Sequence, residues 1–361
     1  MDNFKYNKEE KERNLIFSEI VDQQKTWKNS IDKFSKIDKK LYDVLKEHKN
    51  FYFIGCGSSY HIGLIIQFTY DLLFKKKSIC ANSSNFLFYP KKYIISNSSN
   101  DVFFLISRTG ETTETLLTMD VIKKNKGATV ALTSIPDSKL ARECDFSVAF
   151  MNSQEKSITA TKSMTSITIF LLNLVFTLSG LTMINEKISS SIDKYFKCFN
   201  KYFDMIQNII NETNFKKVIF LGSGPFFGAA KEAELKVKEM SITNTESSHP
   251  LEFRHGHKSI LDKKTLVVLL LSEAGFKYEL DSAREFKKIC SKVLIICDDK
   301  RIEEQKDAYD YLIDIDLCMN ELARPIFYIL FGQLIGYHQA IKKGINPSYP
   351  RNLDFIVTFK E

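Results

Sequence analysis

The distribution of apolar and polar positions divides the chain into two similar halves behind a helical start. Over residues 8–47, Ile16, Ile20, Val21, Trp27, Ile31, Phe34, Ile37, Leu41 and Leu45 recur at roughly helical spacing. That stretch predicts a helical arm, lying across the body or against a partner chain. From residue 51 the period changes. FYFIGC (51–56), SICAN (78–82), VFFLIS (102–107), ATVALTS (128–134) and FSVAF (146–150) are short apolar runs that predict strands, and helical patterns separate them. A helix is predicted from about Tyr60 to Phe74, another after Gly110, a short one over 137–145 and a long apolar one over 161–180. Continuous apolar strands alternating with helices predict a parallel sheet covered on both faces.

A helical connector over 186–213 follows, and then the order repeats. VIFLGSG (218–224) echoes FYFIGCG (51–57), LVVLLLSEAG (266–275) echoes VFFLISRTG (102–110), and KVLIICDD (292–299) echoes ATVALTS (128–134). Two copies of one α/β unit are the simplest source of such a repeat. A closing helix is predicted from about Asn320 to Lys343, ending at Gly344. Pro347 and Pro350 exclude helix from the tail behind it. The predicted organisation is an arm (1–47), a first α/β domain (48–185), a second (186–345) and a tail (346–361).

Composition narrows the class. With 361 residues, 44% hydrophobic and 26% charged, the chain is long enough for two globular cores. The net charge of +7 is spread among mixed-sign segments, with no basic stripe for nucleic acid. A mildly basic surface suits an anionic ligand. The seven cysteines form no C-x-x-C pair and no zinc spacing, which predicts a reducing compartment. The start, MDNFKYNKEEKERN, is too charged for a secretory signal. The most apolar stretch, 166–183, is interrupted by Thr, Ser and Asn and predicts a buried helix rather than a membrane span. A cytoplasmic protein is expected, with neither membrane nor nucleic acid as partner.

Two stretches carry candidate chemistry. In LISRTGETTETL (105–116) a strand ends at Ser107, a loop with Gly110 follows, and a helix begins. Glu111 and Glu114 fall in its predicted first turn, Lys123, Lys124 and Lys126 in its last, and Gly127 reads as the stop. Free amides at a helix start, with the hydroxyls of Ser107, Thr109 and Thr112, make a neutral cup for a phosphate. The same pattern also suits an ordinary Ser/Thr helix cap. In parallel α/β sheets ligands bind beyond the carboxyl ends of the strands. Both SRTGET and the GCGSS turn (55–59) lie at such ends, so both can face one crevice. In the second copy, Ser272, Glu273, Ala274 and Phe276 stand where the first has Ser107, Arg108, Thr109 and Glu111. An acid in the loop and a lost hydroxyl restrict the phosphate to the first half.

The second stretch is KEAELKVKEMSITNTESSHPLEFRHGHKS (231–259). Glu232, Lys236 and Glu239 share one face of a helix, which is also a common surface ion-pair device. Glu252, Arg254, His255 and His257 follow in a polar turn. Two histidines flanking Gly256 lack a third ligand at useful spacing, so no metal site is predicted. GCGSS fails the dinucleotide pattern G-x-G-x-x-G, and no redox cofactor is expected.

Together GCGSS, SRTGETTET, EKSITATKS (155–163), KVKEMS and EFRHG, set in paired α/β units, resemble the sugar-isomerase (SIS) domain family. Similar members are the isomerase half of glutamine–fructose-6-phosphate transaminase, the second-type glucosamine-6-phosphate deaminases and the fructosamine-6-phosphate deglycases. The resemblance implies two SIS domains, each a parallel sheet between helix layers in a three-layer α/β/α fold. It implies phosphate contacts at Ser59, Ser107, Thr109 and Thr112, with Arg108 where the transaminase pattern has Gln. Gly57, Ser58, Ile158, Ala160 and Glu232 would line the substrate, with Lys236 beside them in the catalytic group. Glu239 would carry the proton. His255 would open the sugar ring from the neighbouring subunit, which implies a homodimer with shared sites. Ala160 replaces a serine of the transaminase pattern. PRNL (350–353) is followed by Asp354 and Phe355, without the Schiff-base lysine of that pattern. The chain opens Met1-Asp2, lacking the cysteine of a glutaminase, so no use of glutamine is expected. The expected activity is C1/C2 proton transfer on an amino sugar 6-phosphate, ending in deamination or deglycation. A plain aldose–ketose isomerase and a non-catalytic phosphosugar sensor are the alternatives.

Overall fold

A computed structural model of the chain describes residues 15–47, 50–94, 100–289 and 292–358. The arm is broken into α1 (Leu15–Val21), α2 (Gln23–Phe34) and α3 (Lys39–Glu47). Residues 8–14 of the predicted arm lie outside the described residues. The arm is part of the body. Trp27 is fully buried, and its indole N–H donates to Thr165 Oγ1 at 2.9 Å. Gln23 bridges Thr165 and Gln333 from two other helices.

The first module runs β1 (Asn50–Gly55), α4 (Ser58–Phe74), β2 (Ile79–Asn82), α5 (Ser83–Phe88), α6 (Pro90–Tyr93), β3 (Asp101–Ile106), α7 (Thr113–Lys124), β4 (Ala128–Thr133), α8 (Lys139–Glu143) and β5 (Phe146–Ala149). Next come α9 (Lys162–Leu178), α10 (Thr182–Lys197) and α11 (Phe199–Glu212). The second module runs β6 (Lys217–Gly222), α12 (Pro225–Ser241), β7 (Asn244–Ser248), α13 (Pro250–Phe253), β8 (Thr265–Leu270), α14 (Phe276–Lys287), β9 (Lys292–Cys297), β10 (Tyr311–Asp314) and α15 (Pro325–Lys342).

Each module holds a five-stranded parallel sheet, ordered β2-β1-β3-β4-β5 and β10-β9-β8-β6-β7. Read from the first strand of each module, the two orders are the same. The registers also match: Gly55 pairs with Ile106, and Gly222 with Leu270. All six β3 positions are buried, as continuous apolar runs require when helices cover both faces.

Several local readings need correction. Edge strands β7 and β10 were not predicted. NTESS carries no apolar alternation, and its pairing with β6 is a tertiary fact. Helix α7 begins at Thr113, so Glu111 precedes it, and its carboxylate instead accepts the Lys139 N–H at 2.7 Å. Lys126, not Gly127, takes the left-handed conformation after α7, with φ of 60°. Helix α9 is buried along nearly its whole length, and among the described residues no helix is long and apolar enough to cross a membrane.

One close approach positions the site. Helix α15 packs along α12, where a Cβ on Gly336 would meet the Lys236 carbonyl at 3.0 Å. On its other side α12 meets the first module, where a Cβ on Gly228 would meet Ile65 and Glu232 pairs with His61.

Candidate functional site

The carboxyl ends of β1 and β3 meet the C-terminal half of α12 at a cleft of about 280 Å³. Its first wall is the β3–α7 loop. Ser107 Oγ accepts the Gly110 N–H and lies 3.1 Å from Thr112 Oγ1. Thr109 Oγ1 accepts the Glu111 N–H at 3.3 Å. Gly110 has φ of +68°, and a Cβ there would collide with Ser138. Only glycine makes this turn without strain. Ser107 and Thr109 are buried, as is Ser59 in the first turn of α4, which closes the cup from the GCGSS side. The Thr112 side chain makes no capping bond to α7, so the simple helix-cap reading does not describe it.

The opposite wall is α12. Lys236, fully buried, places Nζ 2.7 Å from Glu239 and 3.5 Å from Glu232. Glu232 lies 3.0 Å from His61 Nδ1. Burial opposes the Lys236 charge, but Glu239 and Glu232 outweigh it and hold the ammonium above its ordinary value. Burial alone would raise the Glu232 carboxyl; Lys236, His61 and Ser58 bring it below the ordinary carboxylate value. Glu239 keeps 19% of its side chain exposed and faces the cleft. A desolvated ammonium against a partly solvated carboxylate fixes that carboxylate's orientation.

Gly57, Ser58, Ser59, Ser107, Thr109 and Thr112 line this cleft with Ile158, Ala160, Lys236 and Glu239. Glu232 sits one layer behind, gripping Lys236 and His61. His255 does not join them: it is exposed beyond α13, and its backbone N–H donates to the Glu252 carbonyl at 2.8 Å. Arg108 lines the cleft, but its guanidinium donates to the carbonyls of Ile158 at 2.8 Å and Phe355 at 3.1 Å, and lies 3.5 Å from Glu155. Its donors therefore serve the walls of the cup.

Sequence reasoning missed the tail. Leu353, Asp354, Phe355 and Val357 line the cleft. The Phe355 ring lies 4.3 Å from the Arg108 guanidinium carbon, and Val357 accepts the Thr113 N–H at 3.4 Å. The prolines exclude helix without saying where the chain goes, and the resemblance marked only that Asp354 and Phe355 stand where its pattern has a lysine.

The second module's matching loop is occupied by its own side chain. Buried Glu279 accepts the Ser272 N–H at 2.9 Å and the Ser272 hydroxyl at 2.8 Å. Ser272 Oγ accepts the Gly275 N–H, as Ser107 does that of Gly110. Glu273, the acid expected to repel an anion, turns away to pair with Arg324. The second module's loop is thus closed by a carboxylate from α14 and not by the loop acid Glu273. Among the described residues, no three His, Cys, Asp or Glu side chains gather as a metal site.

The chain has relatives of known sequence and known structure. It is 27% identical to an isomerizing glutamine–fructose-6-phosphate aminotransferase of Wigglesworthia glossinidia brevipalpis over 98% of its own length, spanning 60% of that protein. A solved glucosamine-6-phosphate deaminase from Thermotoga maritima superposes with a TM-score of 0.77 at 27% identity, covering 95% of this chain and 99% of that one. A Clostridium novyi structure provisionally described as a tagatose-6-phosphate ketose/aldose isomerase gives a TM-score of 0.85 at 26% identity, covering 97% and 96%. The SIS domain itself matches twice, over residues 44–177 and 213–343, in step with the two sheets of one topology, and the chain belongs to the SIS domain family.

Proposed function

We propose that this protein is a phosphosugar isomerase-type enzyme that acts on an amino sugar 6-phosphate. The observation carrying this reading is the joining, in one cleft, of the Ser107–Thr109–Thr112 cup and the Lys236–Glu239 pair. A phosphate in the cup would hold the sugar by its far end and present C1 and C2 to Glu239. Glu239 takes the proton from one of these carbons and returns it to the other. With the amine at C2 of an open-chain aldose, the proton moves from C2 to C1 and leaves a C2 imine. With the amine at C1 of a ketose, it moves from C1 to C2 and leaves a C1 imine. Water then hydrolyses the imine, releasing ammonia or an amino acid. Without an amine, the same transfer interconverts aldose and ketose. Lys236 keeps the carboxylate aimed, and no step requires an electron acceptor.

Ring opening falls to His255 from a neighbouring copy, which makes the working unit a homodimer. Its exposure outside its own cleft favours that arrangement. Phe355, docked on Arg108, supplies no amine for a Schiff base, so the reading leans to deaminase or deglycase chemistry.

The test is proton NMR in D₂O with glucosamine 6-phosphate and fructosamine 6-phosphates, together with assays for released ammonia and amino acids. Deuterium should enter at C1 or C2. Glu239→Gln should lower kcat by about 10²-fold or more with KM within a few-fold. Activity within a few-fold of the parent in both Glu239→Gln and His255→Ala would discard the assignment.

A further inference from the structure

The loop carrying Ile158 and Ala160 into the cleft has almost no regular structure of its own. Two buried carboxylates hold it. Glu155, at its start, accepts the Thr161 N–H at 2.5 Å, the Thr161 hydroxyl at 2.9 Å and the Ser163 hydroxyl at 2.5 Å. The second carboxylate comes from the far end of the chain. Glu19, on α1 and 3% exposed, accepts the Lys156 N–H at 2.7 Å, the Ser157 N–H at 3.3 Å and the Ser157 hydroxyl. The backbone that Glu19 grips leads directly into the Ser157 and Ile158 carbonyls, which take the Arg108 guanidinium. Ile158 donates its own N–H to the Ser348 carbonyl at 2.9 Å, and Ser348 Oγ accepts the Ile16 N–H of α1 at 3.2 Å. Helix α1, the 156–158 backbone and the turn before the tail thus form one closed circuit behind the cleft wall.

We propose that Glu19 is a positioning residue for the cleft, fixing the 156–158 backbone and, through it, Ile158, Ala160 and Arg108. This rests on the sugar-phosphate reading for its kinetic consequence, but not for its geometric one. The carboxylate is an expensive choice for the site: burial, then the neighbouring Glu155, push the Glu19 carboxyl above its ordinary value. A buried carboxylate facing a second one is tolerated where its acceptor capacity is fully used, and Glu19 has three donors from a single loop. Other polar contacts of the arm go elsewhere: Trp27 donates to Thr165, and Gln23 bonds Thr165 and Gln333. Among the described residues of the arm, Glu19 is the one buried polar side chain that hydrogen-bonds the loop lining the cleft.

The experiment compares Glu19→Ala, Glu19→Gln and Ser157→Ala in the full-length chain by three readouts. Amide hydrogen exchange at Lys156, Ser157 and Ile158 tests the geometry and needs no substrate. It should accelerate at least tenfold in Glu19→Ala relative to core strand amides, and be largely restored in Glu19→Gln, whose amide oxygen still accepts an N–H. Calorimetric affinity for glucosamine 6-phosphate should fall about tenfold or more in Glu19→Ala, as misplacing a cleft wall implies. KM should rise more than kcat falls. If Glu19→Ala does not fold, Ser157→Ala, which deletes one donor of the same contact, should show the same pattern at smaller size. Unchanged exchange at these three amides in a folded Glu19→Ala or Ser157→Ala protein overturns the proposal. Faster exchange with parental affinity and KM overturns its functional half. If the parent protein itself binds no sugar phosphate, the reading of function fails while the exchange result still decides the geometry.

Discussion

Replacing Lys236 by methionine tests the energetics of the site most directly. The side chain keeps its length and loses its charge. In the parent, the ammonium lies between Glu239 at 2.7 Å and Glu232 at 3.5 Å, and Glu232 is 2% exposed. Glu239 reaches solvent and can rehydrate. Glu232 cannot, and keeps no cation but His61, with Ser58 beside it. Removing one partner of a buried ion pair costs roughly 3–5 kcal/mol, because the other charge stays desolvated. At roughly 2–4 °C per kcal/mol this is a fall of about 6–20 °C in Tm. The sign of the pH dependence follows from Glu232. In the parent its carboxyl is held below the ordinary value, so its contribution is present above the unfolded value of 4.5 and lost on acidification. In Lys236→Met burial is left dominant, the folded value rises, and stability is lost as pH rises through it. The deficit against the parent should therefore be larger at pH 8 than at pH 5.5. Urea unfolding of both proteins at the two pH values measures it. A loss below about 1 kcal/mol at pH 8, or an equal loss at both, would refute the picture of a desolvated Glu232–Lys236–Glu239 triad.

Two further substitutions probe the two loops. Gly110→Ala places a side chain at φ of +68° and against Ser138, and should destabilise by at least 1–2 kcal/mol while weakening sugar-phosphate affinity; parental stability in urea would show that the turn relaxes freely. Glu279→Ala leaves the buried Ser272 N–H and hydroxyl without their acceptor, and should cost about 2–4 kcal/mol, with Glu279→Gln recovering part of it in the same urea assay.

Much of this protein was determined by its sequence alone. Continuous apolar strands such as VFFLIS cannot sit on an exposed sheet, so a doubly covered parallel sheet follows from composition and length. The echo of that run in LVVLLL made two modules of one topology the economical reading, and the registers of Gly55 and Gly222 are its outcome. Ser107, Thr109, Gly110 and Thr112 were legible as one loop beside the cleft because the feature is local: a strand end, a turn and a helix start, contiguous in sequence. Glu232, Lys236 and Glu239 were legible as one helical face, although the face that looks like a solvated ion-pair stripe is in fact packed inside.

Only the tertiary structure could decide the rest, because the interactions concerned join residues far apart in the chain. Arg108 reads as a phosphate ligand through the resemblance, and only the tertiary structure shows that part of its guanidinium also donates to carbonyls of residues 158 and 355. Glu273 reads as the acid that spoils the second cup, yet Arg324 draws it away and Glu279, one helical turn inside α14, fills the cup instead. The arm's stripe says only that something covers it, the body or a partner chain; that Glu19 reaches the loop at 156–157 depends on how α1 packs on the body. A periodic pattern reports which face of an element is buried, since burial is a property of each residue. It does not report the partner, since a partner is a property of a pair, and the chain between the two is free to close in many ways until the cores are packed.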